Sequence, residues 1–147
     1  MNTTQERIND ITSAIKLRLQ ENKKNLEEKI AACDTSKLEI NLTEKQENIL
    51  SKTYKRNKAI VRKYVETNNN LLKLHDKEKL LAFLKDIRTI LPKLICDVSL
   101  NFSASFDGIT YFELELYKQE KDLVDAFISI VNKQKELNNQ TQQSNKI

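Results

Sequence analysis

The chain has 147 residues and a formal net charge of +4 at pH 7, from 25 lysines and arginines against 21 aspartates and glutamates. This length is typical of one domain with its own core, so neither disulfides nor a metal is needed for stability. No apolar run approaches the roughly 18 residues that span a bilayer, and the amino terminus shows no secretory signal. We therefore expect a cytoplasmic protein without membrane contact, whose two cysteines are reduced and packed.

Residues that break helices are almost missing from the composition. The chain holds 1 glycine and 1 proline, whereas average usage would give about ten and about seven. Because few breakers mean few turns, the composition predicts long helices.

The first predicted helix covers residues 5–33 and carries one narrow apolar stripe. Its apolar residues recur at steps of three and four, with one polar interruption at Asn22 and Lys23. A stripe this narrow suits a bundle or coiled-coil seam, so we predict that its first half binds a partner helix. Packing within the same chain is the alternative. The predicted partner-binding residues are Ile8, Ile11, Ile15 and Leu19.

Two further helices are predicted from their capping residues. Thr43 is the expected N-cap of the second, with a glutamine three residues later that completes a capping box. We expect an asparagine run to end this helix near Asn68. Asp76 is the expected cap of the third helix, which has the broadest apolar face and which Pro92 should end or kink.

Residues 98–116 change to a period of two, with apolar side chains at every second position. This alternation around Asp107-Gly108 predicts a β-hairpin over about residues 97–117, with a three-residue loop and a shared apolar face. The rival interpretation is a single helix from Tyr111 to Leu137, which requires Glu120 on the apolar stripe.

The predicted fold class is therefore mainly α with a minor β part. It is a bundle of three to four long helices, with the hairpin inserted before a last helix over residues 119–137. Residues 1–137 form a single helical domain, and the polar tail 138–147 is expected to be disordered. Since a two-stranded hairpin is marginal alone, its apolar face must lie on helices or its edges must pair with another chain.

No motif in the sequence predicts catalysis or a cofactor. The single histidine, His75, has no partner in a metal-binding spacing. One glycine also excludes the glycine-rich loops that hold phosphate. We therefore predict a protein that is not an enzyme, with no cofactor, no metal and no evident small-molecule substrate.

The strongest surface signal is a basic segment from residue 52 to residue 63, which holds six cations and no acidic residue. On a helical wheel these cations lie opposite the apolar side, at Lys52, Lys55, Arg56, Lys58, Arg62 and Lys63. One interpretation is a solvated face paired with acidic neighbours such as Glu21, Glu27 and Glu28. The others are contact with a nucleic-acid backbone and contact with an acidic protein surface.

The sequence favours a non-enzymatic protein–protein interaction module, such as a small cytoplasmic adaptor, a chaperone-like protein or an inhibitory subunit. It would act through the amphipathic surface of the first helix and the edge of the hairpin. The partner is an unidentified protein, and a homodimer is one form that this contact could take. The alternative function is a nucleic-acid-binding accessory protein that uses the basic face at residues 52–63.

Overall fold

A computed structural model shows a bundle of long helices. The described residues are 3–33, 36, 38–95 and 110–144, with backbone alone for residues 95 and 135–144. They form four helices and contain no strand. The helical-bundle part of the predicted fold is confirmed. The helices are α1 (Thr4–Ala31), α2 (Glu44–Leu74), α3 (Lys77–Ile95) and α4 (Tyr111–Ser144).

Capping residues fix the starts of α2 and α3 as predicted. The Gln46 backbone N–H donates to Thr43 Oγ1 at 3.1 Å, and the Thr43 N–H donates to Gln46 Oε1 at 3.0 Å. These two bonds form the reciprocal capping box and satisfy two amides that lack a partner inside the helix. Asp76 Oδ1 accepts a hydrogen bond from the Lys79 N–H at 3.2 Å and caps α3 in the same way.

Salt bridges show that α1 and α4 run antiparallel. Lys23 Nζ lies 3.1 Å from Asp125 Oδ1, and Lys121 Nζ lies 3.8 Å from Glu27 Oε1. The hydrogen bond and charge of Asp125 raise the pKa of Lys23. The polar interruption in the α1 stripe is thus a position where α1 is tied to α4 by charge.

Helices α2 and α4 run parallel to each other. Gln119 Nε2 donates to the Leu50 carbonyl oxygen at 3.1 Å near the start of the pair. Farther along both helices, Lys133 Nζ donates to Asn69 Oδ1 at 2.6 Å. Because later residues of α4 meet later residues of α2, the two amino termini lie at the same end of the bundle.

A tight connection reverses the chain between α2 and α3. His75 caps the end of α2 in the left-handed conformation, with φ of 52°. Asp76 follows it directly and caps α3. The antiparallel pairing that results brings the Tyr64 hydroxyl within 3.3 Å of Asp86 Oδ2, to which it donates.

The four helices occupy the corners of the bundle in the order α1, α4, α2, α3. Helix α1 contacts α3 and α4, and α2 contacts the same two helices, whereas α1 and α2 do not contact each other within the described residues. The two therefore lie at opposite corners. Because of this arrangement, the outward face of α2 is far from any side chain of α1.

The core is centred on aromatic and aliphatic side chains from all four helices. The Tyr64 ring contacts two phenylalanine rings. Its centroid lies 5.7 Å from that of Phe83 and 5.4 Å from that of Phe127. These tilted pairs add to the burial of apolar area. Other core residues that are at most 2% exposed are Ile8, Leu19, Leu84, Ile87, Leu123, Val124 and Val131.

The predicted β-hairpin is wrong. Its second strand is the beginning of α4, where Thr110 Oγ1 accepts a hydrogen bond from the Glu113 N–H at 3.2 Å. Leu114 and Leu116 are both buried although they point to different sides of the helix, about 200° apart. Because residues two positions apart point to nearly opposite sides of a helix, a helix that is covered on two sides can have apolar residues at every second position. Its sequence then has the same alternation as that of a strand. The first predicted strand and Gly108 lie outside the described residues.

The rival interpretation, a helix that begins at Tyr111, is the one that the structure shows. Its requirement is also met, because Glu120 is 5% exposed and lies on the buried side of α4. Glu113 and Glu115, which would share a strand face, are on different sides of the helix.

Helix ends depart from the predicted positions. Helix α3 continues through Pro92 to Ile95, and α2 continues through the asparagine run to Leu74. Pro92 lies near the end of α3, where the loss of one backbone donor is small and packing of Leu91 into the core holds the turn. The last helix reaches Ser144 rather than ending near residue 137.

Candidate functional site

The predicted partner-binding stripe of α1 lies inside the bundle. Ile8, Ile11, Ile15 and Leu19 are 0%, 7%, 3% and 0% exposed and belong to the core cluster. The alternative interpretation of this stripe, packing within the same chain, therefore describes where these residues lie. A partner helix could reach these residues only if the bundle opened, so they are not an accessible docking site. The hairpin edge, the second predicted contact surface, is missing from the described residues.

The six cations of α2 are exposed and form a continuous surface, which we call the basic face: Lys52, Lys55, Arg56, Lys58, Arg62 and Lys63. None of them forms a salt bridge with any described residue. All six are carried by one helix, which fixes the distances between them. The structure thus brings together the complete set that the sequence predicts.

The acidic residues expected to neutralise the basic face are placed elsewhere. Glu27 pairs with Lys121 of α4. Glu21 and Glu28 also belong to α1, which does not contact α2. These carboxylates are therefore on the other side of the bundle. Within the described residues the basic face thus forms no ion pair with these three carboxylates, and both a solvated face and the two binding interpretations remain.

Two of the cations have neutral partners. Lys58 Nζ lies 5.7 Å from the centroid of the Tyr54 ring. The Arg56 guanidinium donates to Asn57 Oδ1 at 3.3 and 3.4 Å. An aromatic ring and an amide orient a cation without cancelling its charge. These contacts therefore leave the charges of Lys58 and Arg56 in place.

Beside the basic face lies a groove between α2 and α4, which we call the α2/α4 groove. Its volume is about 220 Å³, and its walls are mostly apolar. Tyr54 forms one wall and is 56% exposed. On the opposite wall, Leu123 and Ala126 of α4 close the groove. The residues that line it are Tyr54, Asn57, Lys58, Val61, Gln119, Asp122, Leu123 and Ala126.

The sequence did not predict the α2/α4 groove. Tyr54 falls on the apolar side of α2, which was expected to be covered by the core. The structure covers that side less in the first half of α2, where Ile49 and Tyr54 remain exposed. Identifying the groove requires the alignment of α2 with α4, and no motif in either helix encodes it.

A second cleft lies between α1 and α3, with a volume of about 410 Å³. Leu17 at its edge is 61% exposed, and Arg18 and Arg88 flank it. Glu21 also lines this cleft and offsets part of their charge. This cleft therefore carries charges of both signs, whereas the six residues of the basic face are all cations.

The described residues contain no candidate metal site. No group of three histidine, cysteine or acidic side chains within them could hold a metal ion. His75 is exposed at the end of α2, and Cys33 is a half-buried free thiol. Among the helices of the described part, none is long and apolar enough to cross a membrane.

No protein-family model matches the chain, and no curated protein or solved structure is significantly similar to it.

Proposed function

We propose that the protein is a non-enzymatic binding module of the cytoplasm that contacts an acidic partner protein through the basic face of α2. The observation that supports this most is that six exposed cations on one helix form no salt bridge with the described residues. An adaptor or an inhibitory subunit needs such a surface and no catalytic group. Complementary charge accelerates encounter with an acidic partner and selects against basic ones.

Uncharged residues around the basic face favour a protein as the partner. Ile49 and Tyr54 are 39% and 56% exposed on the same helix. Protein interfaces are enriched in aromatic side chains and arginine, and they combine apolar contact with a charged rim. Contact with phosphates alone requires no exposed isoleucine.

The same charge disfavours a homodimer through this surface. Two basic faces brought together by a twofold axis would place like charges opposite one another, because each patch contacts its own copy. Such an arrangement costs several kcal/mol. The proposed partner is therefore a different chain.

Nucleic acid is a second candidate partner, favoured by the single sign and the length of the basic face. From Lys52 to Lys63 the helix rises by about 16 Å, a span that covers several phosphates along one strand. Such binding is electrostatic and falls steeply as salt is added.

Charge reversal tests the proposed function. The test variant carries Lys55→Glu, Arg56→Glu, Arg62→Glu and Lys63→Glu, and its binding to a labelled acidic peptide is followed by fluorescence anisotropy. We expect affinity to fall by at least about tenfold, which is about 1.4 kcal/mol. All four side chains are exposed, so circular dichroism should show an intact fold.

The matched control reverses four exposed cations elsewhere: Arg7→Glu, Lys24→Glu, Lys85→Glu and Lys93→Glu. Both variants have the same net charge, so a general charge effect would weaken them equally and would overturn the proposal. A labelled oligonucleotide serves as the competing probe. If it binds far more tightly than the peptide, with a log–log salt slope of about −4 to −5, nucleic acid replaces protein as the partner.

A further inference from the structure

We propose that the α2/α4 groove seats an apolar anchor side chain of an acidic amphipathic helix in the partner. The carboxylates of that helix would lie against Lys55, Lys58 and Arg62. This inference rests on the proposed function, since it gives the partner of the basic face a shape. It also joins the groove and the basic face into one binding surface.

The size of the groove limits what it can hold. Its volume of about 220 Å³ is below the roughly 300–1,000 Å³ of pockets that bury drug-sized ligands. Large apolar side chains are smaller than such ligands. Helix-in-groove recognition uses anchors of this kind, spaced three or four residues apart on the bound helix.

Charge around the groove is arranged with opposite signs on its two sides. Lys58 lines the α2 side, and Lys55 and Arg62 lie next to it at helical spacings of three and four. On the α4 side, the exposed carboxylate of Asp122 lines the groove. A helix whose acidic residues are confined to one flank is complementary to this arrangement.

The position of Asp122 distinguishes a protein helix from nucleic acid. A nucleic-acid strand is negative along its whole length, so a strand lying in the groove would bring phosphates close to Asp122. Like charges brought together in this way reduce affinity. A protein helix avoids the repulsion because it can place uncharged or basic residues on the α4 side.

Tyr54 supplies an anchoring wall for the proposed helix. Its ring is 56% exposed and is held near Lys58, whose Nζ lies 5.7 Å from the ring centroid. A tyrosine presents apolar area at a low entropic cost, with a hydroxyl that can stay in water. Burial of this ring by a partner is the contact that we expect to contribute most of the apolar affinity.

The probe is a synthetic amphipathic peptide with leucines on one face and glutamates on one flank. A second peptide of equal charge replaces every leucine by serine. Anisotropy titrations use the full chain and three variants: Tyr54→Ser removes the wall, Ala126→Phe fills the groove and Leu17→Ser is the control at an exposed leucine of α1. We expect the first two to weaken binding of the leucine peptide at least about tenfold, and the control to leave it unchanged.

The outcomes separate this inference from the proposed function. If charge reversal of the basic face abolishes binding while Tyr54→Ser and Ala126→Phe do not change it, the groove is not used and the proposed function stands. If charge reversal has no effect, both are overturned. The inference about the groove is also overturned if the serine peptide binds as tightly as the leucine peptide. It is likewise overturned if an oligonucleotide binds more tightly than the leucine peptide. Tyr54→Ser alters an exposed side chain, so the test does not depend on how Ala126→Phe folds.

Discussion

Gln134 of α4 donates a hydrogen bond from its side-chain amide to Asn68 Oδ1 of α2, inside the core. The two residues are 0% and 1% exposed. The two amides can form this hydrogen bond at only one alignment of the helices, and sliding either helix would break it inside the core. The pair therefore fixes the alignment of α2 and α4, on which the α2/α4 groove depends.

Replacing one member of this pair should lower the free energy of unfolding more than replacing both. Asn68→Leu leaves the Gln134 amide buried without its partner, which costs about 1–3 kcal/mol. The double variant Asn68→Leu and Gln134→Leu buries two apolar side chains, and we expect it to recover much of that loss. Urea denaturation of the wild type, both single variants and the double variant gives the coupling energy.

If the stability losses of the two single variants add up to the loss of the double variant, the two amides do not form a specific pair. Equal slopes of the free energy of unfolding against urea concentration are the control, since they show that all four unfold from equally compact states.

Stability should fall in alkaline solution, in part through Tyr64. Burial raises the pKa of Tyr64, and the charge of Asp86 and the hydrogen bond to it act in the same direction. Because the folded pKa exceeds the unfolded value near 10, the stabilisation is complete below about pH 10. It is lost as pH rises through the folded pKa, since ionised tyrosine must then be buried.

The variant Tyr64→Phe should flatten this decline in stability. At neutral pH we expect this variant to be about 0.5–1.5 kcal/mol less stable than the wild type, because it lacks the hydrogen bond to Asp86. Above about pH 10 we expect its free energy of unfolding to decline less than that of the wild type, because it has no hydroxyl at this position to ionise. Burial and nearby acidic residues also raise the pKa of Tyr117, so part of the decline should persist. Urea titrations across this range measure it, with the exposed Tyr54→Phe as the control. A parallel decline in Tyr64→Phe and wild type would contradict the assignment.

Phe127 should be among the most costly core residues to truncate. It is 0% exposed, and its ring centroid lies 5.4 Å from that of Tyr64. Phe127→Ala should lower the free energy of unfolding by about 3–5 kcal/mol, because it removes apolar contact and leaves a cavity. Thermal and urea unfolding measure the loss. Phe127→Leu, which keeps more of the volume, should lose much less, and an equal loss would contradict the cavity explanation.

The start of α4 can be tested at its cap. Thr110 Oγ1 accepts from the Glu113 N–H at 3.2 Å, and the Thr110 carbonyl oxygen accepts from the Leu114 N–H at 2.9 Å. Thr110→Ala should cost about 1 kcal/mol and speed hydrogen exchange in the first turn, whereas Thr110→Asp keeps the cap. If strand-like carbon chemical shifts are observed over residues 111–117, this helix start is wrong.

Much of the helical architecture could be predicted from local signals. Thr43 and Asp76 are capping residues whose hydrogen bonds lie within a few positions along the chain, so the sequence contains all their partners. The start of α4 could not be predicted in this way. The alternation of Phe112, Leu114 and Leu116 has the same period whether a strand has one covered face or a helix has two. The distinction lies in what packs around the segment.

The proposed binding surface could be predicted only where it depends on local signals. Lysine and arginine on the polar side of a helix are exposed almost wherever the helix packs, so the basic face follows from helical periodicity. The stripe that contains Ile8 and Leu19 looked equally suited to a partner or to the core, because a sequence does not show what covers an apolar face. The groove beside Tyr54 depends on the alignment of two helices far apart in the chain.

The most direct test of the account is a nuclear magnetic resonance titration of the isotope-labelled protein with the leucine-bearing acidic peptide. Amide signals of residues 54–63 in α2 and 119–126 in α4 should shift together with added peptide, and the signals of α1 and α3 should stay in place. If the signals of α2 are unchanged, or if the shifts cluster on α1 and α3, the basic face and the groove are not the binding surface.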